Sequence, residues 1–331
     1  MINIGAVAEK AGVSKTTVSR VINGSHLVKS STVELVRQVI AELEYEPNVL
    51  ARGLRLNETK TVGVIVSNVL NPFFTAIVRG IEDVASAANY NIVLCNTDEK
   101  PEKERQYIQT LVGKQVDGLI IASTGTKDSY ITLAKGKPIV FVDRKPEGVN
   151  QRKFDTVLVE NKEGSRRAVM HLLEEGYKNV GIITGQSMST TGYDRLLGYK
   201  EALKNARINI DNKLIKYGDF LGHTGYRDAL ELMTQTDCDA IFAANNMILM
   251  GVLRAAAELT INIPRDMGLV TFDDMEWMQY CQPSITAVKQ PTYEMGTKAM
   301  ELLLDRLAGT HKEPIEIVLG VELIPRDTSR R

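Results

Sequence analysis

Residues 4–23 read IGAVAEKAGVSKTTVSRVIN. Ile4, Val7, Ala8 and Ala11 recur at the spacing of one helix face. Gly12 ends that helix and permits a sharp turn, because glycine enters the left-handed backbone region without a steric penalty. Ser14 is placed to cap a second helix, KTTVSRVIN, with a side-chain oxygen that accepts from the free N–H groups of its first turn. Val18, Val21 and Ile22 form the apolar stripe of that helix, whereas Lys15, Thr16, Ser19 and Arg20 face outward. Two short helices joined through a glycine turn make a helix-turn-helix.

A third helix follows, with Val36, Val39, Ile40 and Leu43 on one face and a capping box expected from Ser31 and Glu34. The three helices make a small all-α head over residues 1–46. Pro47 ends it. The segment 47–60 has helical character but little to bury, and Gly53 lowers its propensity, so it reads as a hinge and linker that orders only when something stabilises it. Residues 1–60 carry eight Lys or Arg against six Asp or Glu, a balance of +2, within a chain of net charge −1. Nucleic-acid binding is a local property, and the basic residues, from Lys10 to Lys60, are spread over the segment that also carries the helix-turn-helix.

Beyond Thr61 the texture changes. Apolar runs at 61–68, 91–96, 118–123, 138–144, 156–161, 179–185, 240–246, 268–274 and 285–290 alternate with amphipathic helical stretches. Near-continuous apolar strands separated by helices imply parallel sheets covered on both faces. The alternation restarts near Asn161, so the α/β core, 61–331, is expected as two doubly wound parallel-sheet subdomains: about 61–160 with 292–319, and about 161–291 with 320–331. Ligands of such sheets bind at the carboxyl ends of the strands, and two facing subdomains place that site in the cleft between them.

GVSKTTVSRVIN (12–23) followed by YEPNVLARGL (45–54) resembles the DNA-binding head and hinge of the lac and galactose repressor family. The likeness continues through NPFF (71–74), VDR (142–144), RLLGY (195–199), AANN (243–246), TFDD (271–274) and TAVKQP (286–291), and so covers essentially the whole chain. It implies an operator-binding head, a hinge helix, a core similar to type I periplasmic sugar-binding proteins, and a homodimer formed through that core. A recognition helix presents its N-terminal side chains to the major groove, which makes Lys15, Thr16 and Arg20 the candidate base readers. The resemblance places Thr17, Ser19 and Asn23 at phosphates or in the head's own hydrogen bonds. In the hinge it makes Leu54, with Ala51 beside it, a wedge for the minor groove, and puts Asn48, Arg52 and Arg55 close to phosphates or the groove.

For the cleft the resemblance points to Asn71, Phe73, Phe74, Asp143, Arg144, Arg195, Phe220, Asn245, Asp273 and Gln290. Amides, carboxylates and guanidiniums pair with vicinal hydroxyls, and a ring covers the apolar face of a sugar. With Arg144 and Arg195 both expected there, the reading leans toward a sugar acid such as 2-keto-3-deoxygluconate, with neutral sugars next. Two departures stand out. Asn246 stands where an acidic residue is common, and Lys29 where a capping serine is common, a job expected to pass to Ser30 or Ser31.

Enzymatic motifs are missing: the sequence has no glycine-rich phosphate loop, HExxH, GxSxG or Cys/His cluster. Of four scattered histidines only His223 is expected near the cleft. Cys95, Cys238 and Cys281 are expected as buried, reduced thiols, and no cofactor or metal is expected. No secretory signal opens the chain and no run is apolar enough to span a membrane, so a cytoplasmic protein is expected. The expected function is a repressor released from a pseudo-palindromic operator by a small molecule. Corepression of the purine-repressor kind uses the same parts with opposite sign, and a solute-binding protein would fit residues 61–331.

Overall fold

The computed structural model describes residues 3–22, 24, 27–45, 58–124, 129–146, 154–185 and 189–331. The chain divides into two compact units, Met1–Thr59 and Lys60–Arg331. In the first, α1 (Ile4–Lys10) is capped by Asn3, whose Oδ1 accepts from Gly5 N at 2.8 Å and Ala6 N at 3.2 Å. Gly12 turns the chain at φ +63°. Ser14 Oγ then accepts from Thr17 N at 3.1 Å to start α2 (Lys15–Ile22). With α3 (Ser30–Glu42) these helices close on a core of Val7, Ala8, Ala11, Val18, Val21, Val36 and Val39.

The start of α3 differs from expectation. Lys29 occupies the cap position with extended backbone and makes no side-chain cap bond, and the expected Ser31–Glu34 box is not what opens the helix. A lysine carries no acceptor, and Ser30 and Ser31 already lie inside the helix, where their backbone is helical. Burial of Val36 and Val39 against α1 and α2 therefore holds α3, as tertiary packing does for most short helices.

The second unit is two lobes of one pattern. In the N-lobe, β1 (Thr61–Val66), β2 (Asn91–Asn96), β3 (Gly118–Ile121), β4 (Ile139–Val142) and β5 (Asp155–Val159) form an all-parallel sheet with a strand contributed late in the chain. Between them run α4 (Pro72–Ala87), α5 (Pro101–Gly113) and α6 (Tyr130–Ala134). The C-lobe follows with α7 (Asn161–Glu174), β6 (Val180–Thr184), α8 (Thr190–Asn205), β7 (Ile215–Tyr217), α9 (Gly222–Gln235), β8 (Ala240–Ala243), α10 (Asn246–Glu258), β9 (Gly268–Phe272) and β10 (Thr286–Lys289). The chain then returns to the N-lobe with α11 (Thr292–Ala308) and β11 (Glu316–Leu319), and ends in the C-lobe with β12 (Glu322–Ile324), antiparallel to β10.

Strand order is β11-β5-β4-β3-β1-β2 in one sheet and β12-β10-β9-β8-β6-β7 in the other. Each order reverses direction once, between β1 and β3 and between β6 and β8, which opens a crevice at the carboxyl ends of those strands. The central strands β3, β4 and β8 are buried throughout, matching their unbroken apolar sequences. The two helices flanking the N-lobe, α4 and α11, meet through glycines: a Cβ on Gly80 would lie 2.2 Å from Tyr293 O, and one on Gly296 2.0 Å from Ile77 O. No helix among the described residues is long and apolar enough to cross a membrane. Cys95, Cys238 and Cys281 are unbridged but only partly buried, a correction to their expected full burial.

Candidate functional site

On α2 the side chains of Lys15, Thr16 and Arg20 are exposed, whereas Val18 and Val21 are buried. At about 100° per residue the three exposed positions lie within roughly 140° of one another, on the face opposite the buried valines. Thr17 and Ser19 are partly buried. Thr17 Oγ1 pairs with Ser14 Oγ at 2.9 Å and so serves the head's own bonding. Asn23, and the hinge positions Asn48, Ala51, Arg52, Leu54 and Arg55, lie outside the described residues.

In the core, nine of the ten expected cleft residues converge. Asn71, Phe73, Phe74, Asp143 and Arg144 of the N-lobe face Arg195, Phe220, Asn245 and Asp273 of the C-lobe, with Thr191 added to the lining. All sit at strand ends or in the first two turns of the helices that follow them, where both sheets open. Gln290 is the exception and is corrected here: it lies behind the wall, and its Nε2 donates to Asp273 Oδ1 at 2.5 Å. His223 is corrected as well, since its side chain faces solvent beside Asp219 at 3.5 Å. Elsewhere, His171 Nε2 pairs with Ser329 Oγ at 2.7 Å, and His311 lies against buried Asp155.

The cleft is nearly closed, with an open volume of about 20 Å³, room for about one water molecule. Direct contacts cross it. Asn246 Nδ2 donates to Asn71 Oδ1 at 2.8 Å, and the Arg144 guanidinium of the N-lobe lies 5.2 Å from the Phe220 ring centre of the C-lobe. Phe220 can enter because residue 185 is glycine: a Cβ there would fall 1.9 Å from the ring. Three lining residues, Asp143, Phe220 and Asp273, hold φ between 65° and 73°. That region costs a non-glycine residue of order 1–3 kcal/mol, and such strain collects where side chains must be aimed.

The two arginines are built differently. Arg144 donates Nη1 and Nη2 to Glu99 Oε2 and Oε1, both at 2.7 Å, and Nε to Asp143 Oδ2 at 3.1 Å. Burial acts to lower its pKa, but the Glu99 and Asp143 carboxylates outweigh this and raise it. Arg195 meets only neutral acceptors, Asn161 Oδ1 at 2.8 Å and Ala244 O at 2.6 Å, and stacks 3.7 Å from the Phe272 ring centre. Burial holds its pKa below the usual range despite Asp273 and Asp143 nearby. Burial likewise pushes Asp143 and Asp273 up, against the pull of the two guanidiniums. The expectation of two arginines free to clamp a ligand carboxylate is thereby corrected, because Arg144 is already satisfied inside the protein.

Sequence reading missed Glu99, Thr191, Asn161 and the donor role of Asn246. Only Asn161, at a strand end, and Asn246, beside Asn245, carried a positional signal. Glu99 lies in a charged run, TDEKPEKE (97–104), that resembles any solvated turn.

Comparison with known proteins agrees with this fold. Residues 3–48 match the family of bacterial regulatory proteins, lacI family, and residues 169–329 match a periplasmic binding protein-like domain. The probable HTH-type transcriptional regulator EndR of Paenibacillus polymyxa is 39% identical over 321 residues, 94% of this chain and 93% of that protein. The HTH-type transcriptional repressor PurR of Proteus mirabilis is 32% identical, covering 98% and 96%. Among solved structures, a complex of the transcriptional regulator CelR with cellobiose matches with TM-score 0.76 and 33% identity, covering 99% of this chain and 100% of that one. The lac repressor dimer bound to operator and the anti-inducer ONPF matches with TM-score 0.86 and 25% identity, covering 99% of each.

Proposed function

The chain belongs to the lacI family of bacterial regulatory proteins, and we propose that it represses a carbohydrate-utilisation operon, leaving its operator when a sugar-class effector binds between the lobes. It is a DNA-binding transcription regulator and not an enzyme. The observation that carries the effector reading is the cleft itself: amide, carboxylate, guanidinium and aromatic side chains from both lobes converge on one small space at facing strand ends. Such a set suits hydroxyl groups arrayed on a ring. CelR, a structural neighbour, is solved with cellobiose.

Two copies acting in the cytoplasm as a homodimer supply two heads for a pseudo-palindromic operator, with Lys15, Thr16 and Arg20 toward the bases. Thr17, Ser19 and Asn23 hold the head together or contact phosphates. Residues 47–60 would carry Leu54 and Ala51 to the minor groove, with Asn48, Arg52 and Arg55 beside it. A closed space of about 20 Å³ does not admit a sugar. Ligand entry therefore parts the lobes, breaks the Asn246–Asn71 bond and changes the lobe angle on which connector order depends.

A fluorescence-anisotropy titration of the full-length protein with a labelled pseudo-palindromic operator, combined with a thermal-shift screen of sugars and sugar acids, tests this. A ligand that stabilises the protein and releases the operator is the expected result. A protein that retains no specific operator at physiological salt would end the reading. Leu54→Ala should weaken specific binding at least tenfold more than nonspecific binding; equal losses would remove the wedge. Relatives named as PurR repressors, at 32% identity, favour one second reading, corepression, and a ligand that tightens operator binding would establish it.

A further inference from the structure

We propose that Glu99 sets the charge class of the effector: by filling the guanidinium fork of Arg144 from inside the protein, it closes the N-lobe side of the cleft to anions and reserves the site for uncharged, hydroxyl-rich ligands. This rests on the cleft being the effector site.

The placement is not what sequence neighbours would produce. Arg144 follows β4 and Glu99 follows β2, and β3 and β1 stand between those strands in the sheet. At about 4.8 Å per strand the pair spans roughly 14 Å along the carboxyl edge. Arg144 therefore lies back across the N-lobe floor of the cleft, passing the rings of Phe74 and Phe220 with its Cζ 5.8 and 5.2 Å from their centres. All three of its nitrogens are engaged, two by Glu99 and one by Asp143. Both side chains of the Glu99–Arg144 pair are largely buried, 14% and 8% exposed. The pairing is therefore far less screened than a surface ion pair.

The loop that presents Glu99 is built for it. Asp98 and Glu99 both take left-handed backbone, φ 52° and 57°, a conformation that non-glycine residues adopt at a cost. Asn96 Nδ2 donates to Asp98 Oδ1 at 2.6 Å, Lys103 pairs with Asp98, and Glu99 N donates to Ser67 O at 3.3 Å. The loop thus holds the carboxylate in a bidentate geometry that a ligand carboxylate or phosphate would otherwise take. Glu99 also adds a third carboxylate, beside Asp143 and Asp273, to a cleft region that holds the guanidiniums of Arg144 and Arg195. An anionic ligand would have to displace Glu99 from the Arg144 fork.

The test compares the full-length wild type, Glu99→Gln and the control Glu102→Gln, which removes an exposed acid from the same segment. Isothermal titration uses pairs that share ring stereochemistry, glucose with glucuronate and galactose with galacturonate, together with 2-keto-3-deoxygluconate. Glu99→Gln should shift the acid-to-neutral affinity ratio at least tenfold toward the acid, and Glu102→Gln should leave it at the wild-type value. An unchanged ratio in Glu99→Gln, or a wild type that prefers the acid, overturns the proposal.

A second readout needs no sugar. At fixed ionic strength, sulfate should stabilise Glu99→Gln saturably in thermal unfolding, beyond the general response it gives the wild type and Glu102→Gln, since Glu99→Gln alone frees the Arg144 guanidinium fork. Equal responses from all three overturn the proposal. If the saturable sulfate response is confined to Glu99→Gln but no sugar binds any variant, the carbohydrate reading falls and the gate stands. Should Glu99→Gln fail to fold, Glu99→Asp, whose shorter carboxylate relaxes the fork, should show both shifts in the same direction with smaller size. Wild-type behaviour of Glu99→Asp in both assays then counts against the gate.

Discussion

The two lobes of the core repeat one architecture, yet they treat their cleft arginines in opposite ways. In the N-lobe Arg144 is matched by two carboxylates, and its charge is held firmly. In the C-lobe Arg195 is directly bonded only to an amide and a backbone carbonyl and covers an aromatic ring, and burial weakens its hold on the proton. The difference separates structural from functional charge. A guanidinium paired to carboxylates is spent, whereas one resting on neutral acceptors retains electrostatic reach toward whatever enters the cleft.

Replacing each arginine by methionine would sharpen this most. Arg144→Met strands Glu99 and Asp143, two largely buried carboxylates, and should destabilise the core by about 3–5 kcal/mol in chemical denaturation. Arg195→Met leaves only neutral acceptors unpaired and should cost about 1–3 kcal/mol, while operator affinity survives and the effector response disappears. Equal losses of stability would erase the contrast, and a persistent effector response in Arg195→Met would remove Arg195 from the site.

The bond that joins the lobes gives an intermediate effect. Asn246→Asp removes the donor to Asn71 and sets a carboxylate near Asp273, so the closed cleft should lose about 1–2 kcal/mol. Effector affinity should then rise several-fold, because less closing energy opposes entry. Weaker or unchanged binding would mean that the Asn71–Asn246 contact does not govern closure.

The smallest expected effect is with pH. Asp273 has its folded pKa raised by burial, so the folded state binds this proton more readily than the unfolded state. Its contribution to stability is therefore most favourable at low pH and declines as pH rises from the ordinary carboxylate value, about 3.9, through the raised folded value. The melting temperature of the wild type should gain on that of Asp273→Asn as pH falls through this window. A constant difference between the two would assign Asp273 no such shift.

Much of the fold could be read from pattern. The helix-turn-helix followed from Gly12, Ser14 and the valine spacing, because local turn chemistry and periodicity are short-range properties. Unbroken apolar runs such as GLII and IVFV marked buried parallel strands for the same reason. The strands β7, β11 and β12 escaped notice because they are three or four residues long and partly exposed, so burial leaves little imprint on them. The opening of α3 was misread because packing, rather than a cap, holds it.

Pattern, with the family resemblance, thus indicated from the sequence alone a helix-turn-helix head, a two-lobed α/β core and nine of the residues that line its cleft. What they could not settle is which of those residues were already occupied. Glu99 is 45 residues from Arg144 along the chain, and Asn246 is 175 residues from Asn71. Such pairings have no period and no motif, since they arise only when strand order lays distant loops along one edge. A buried charge is defined by its partners, so the electrostatic character of the cleft belongs to the tertiary structure.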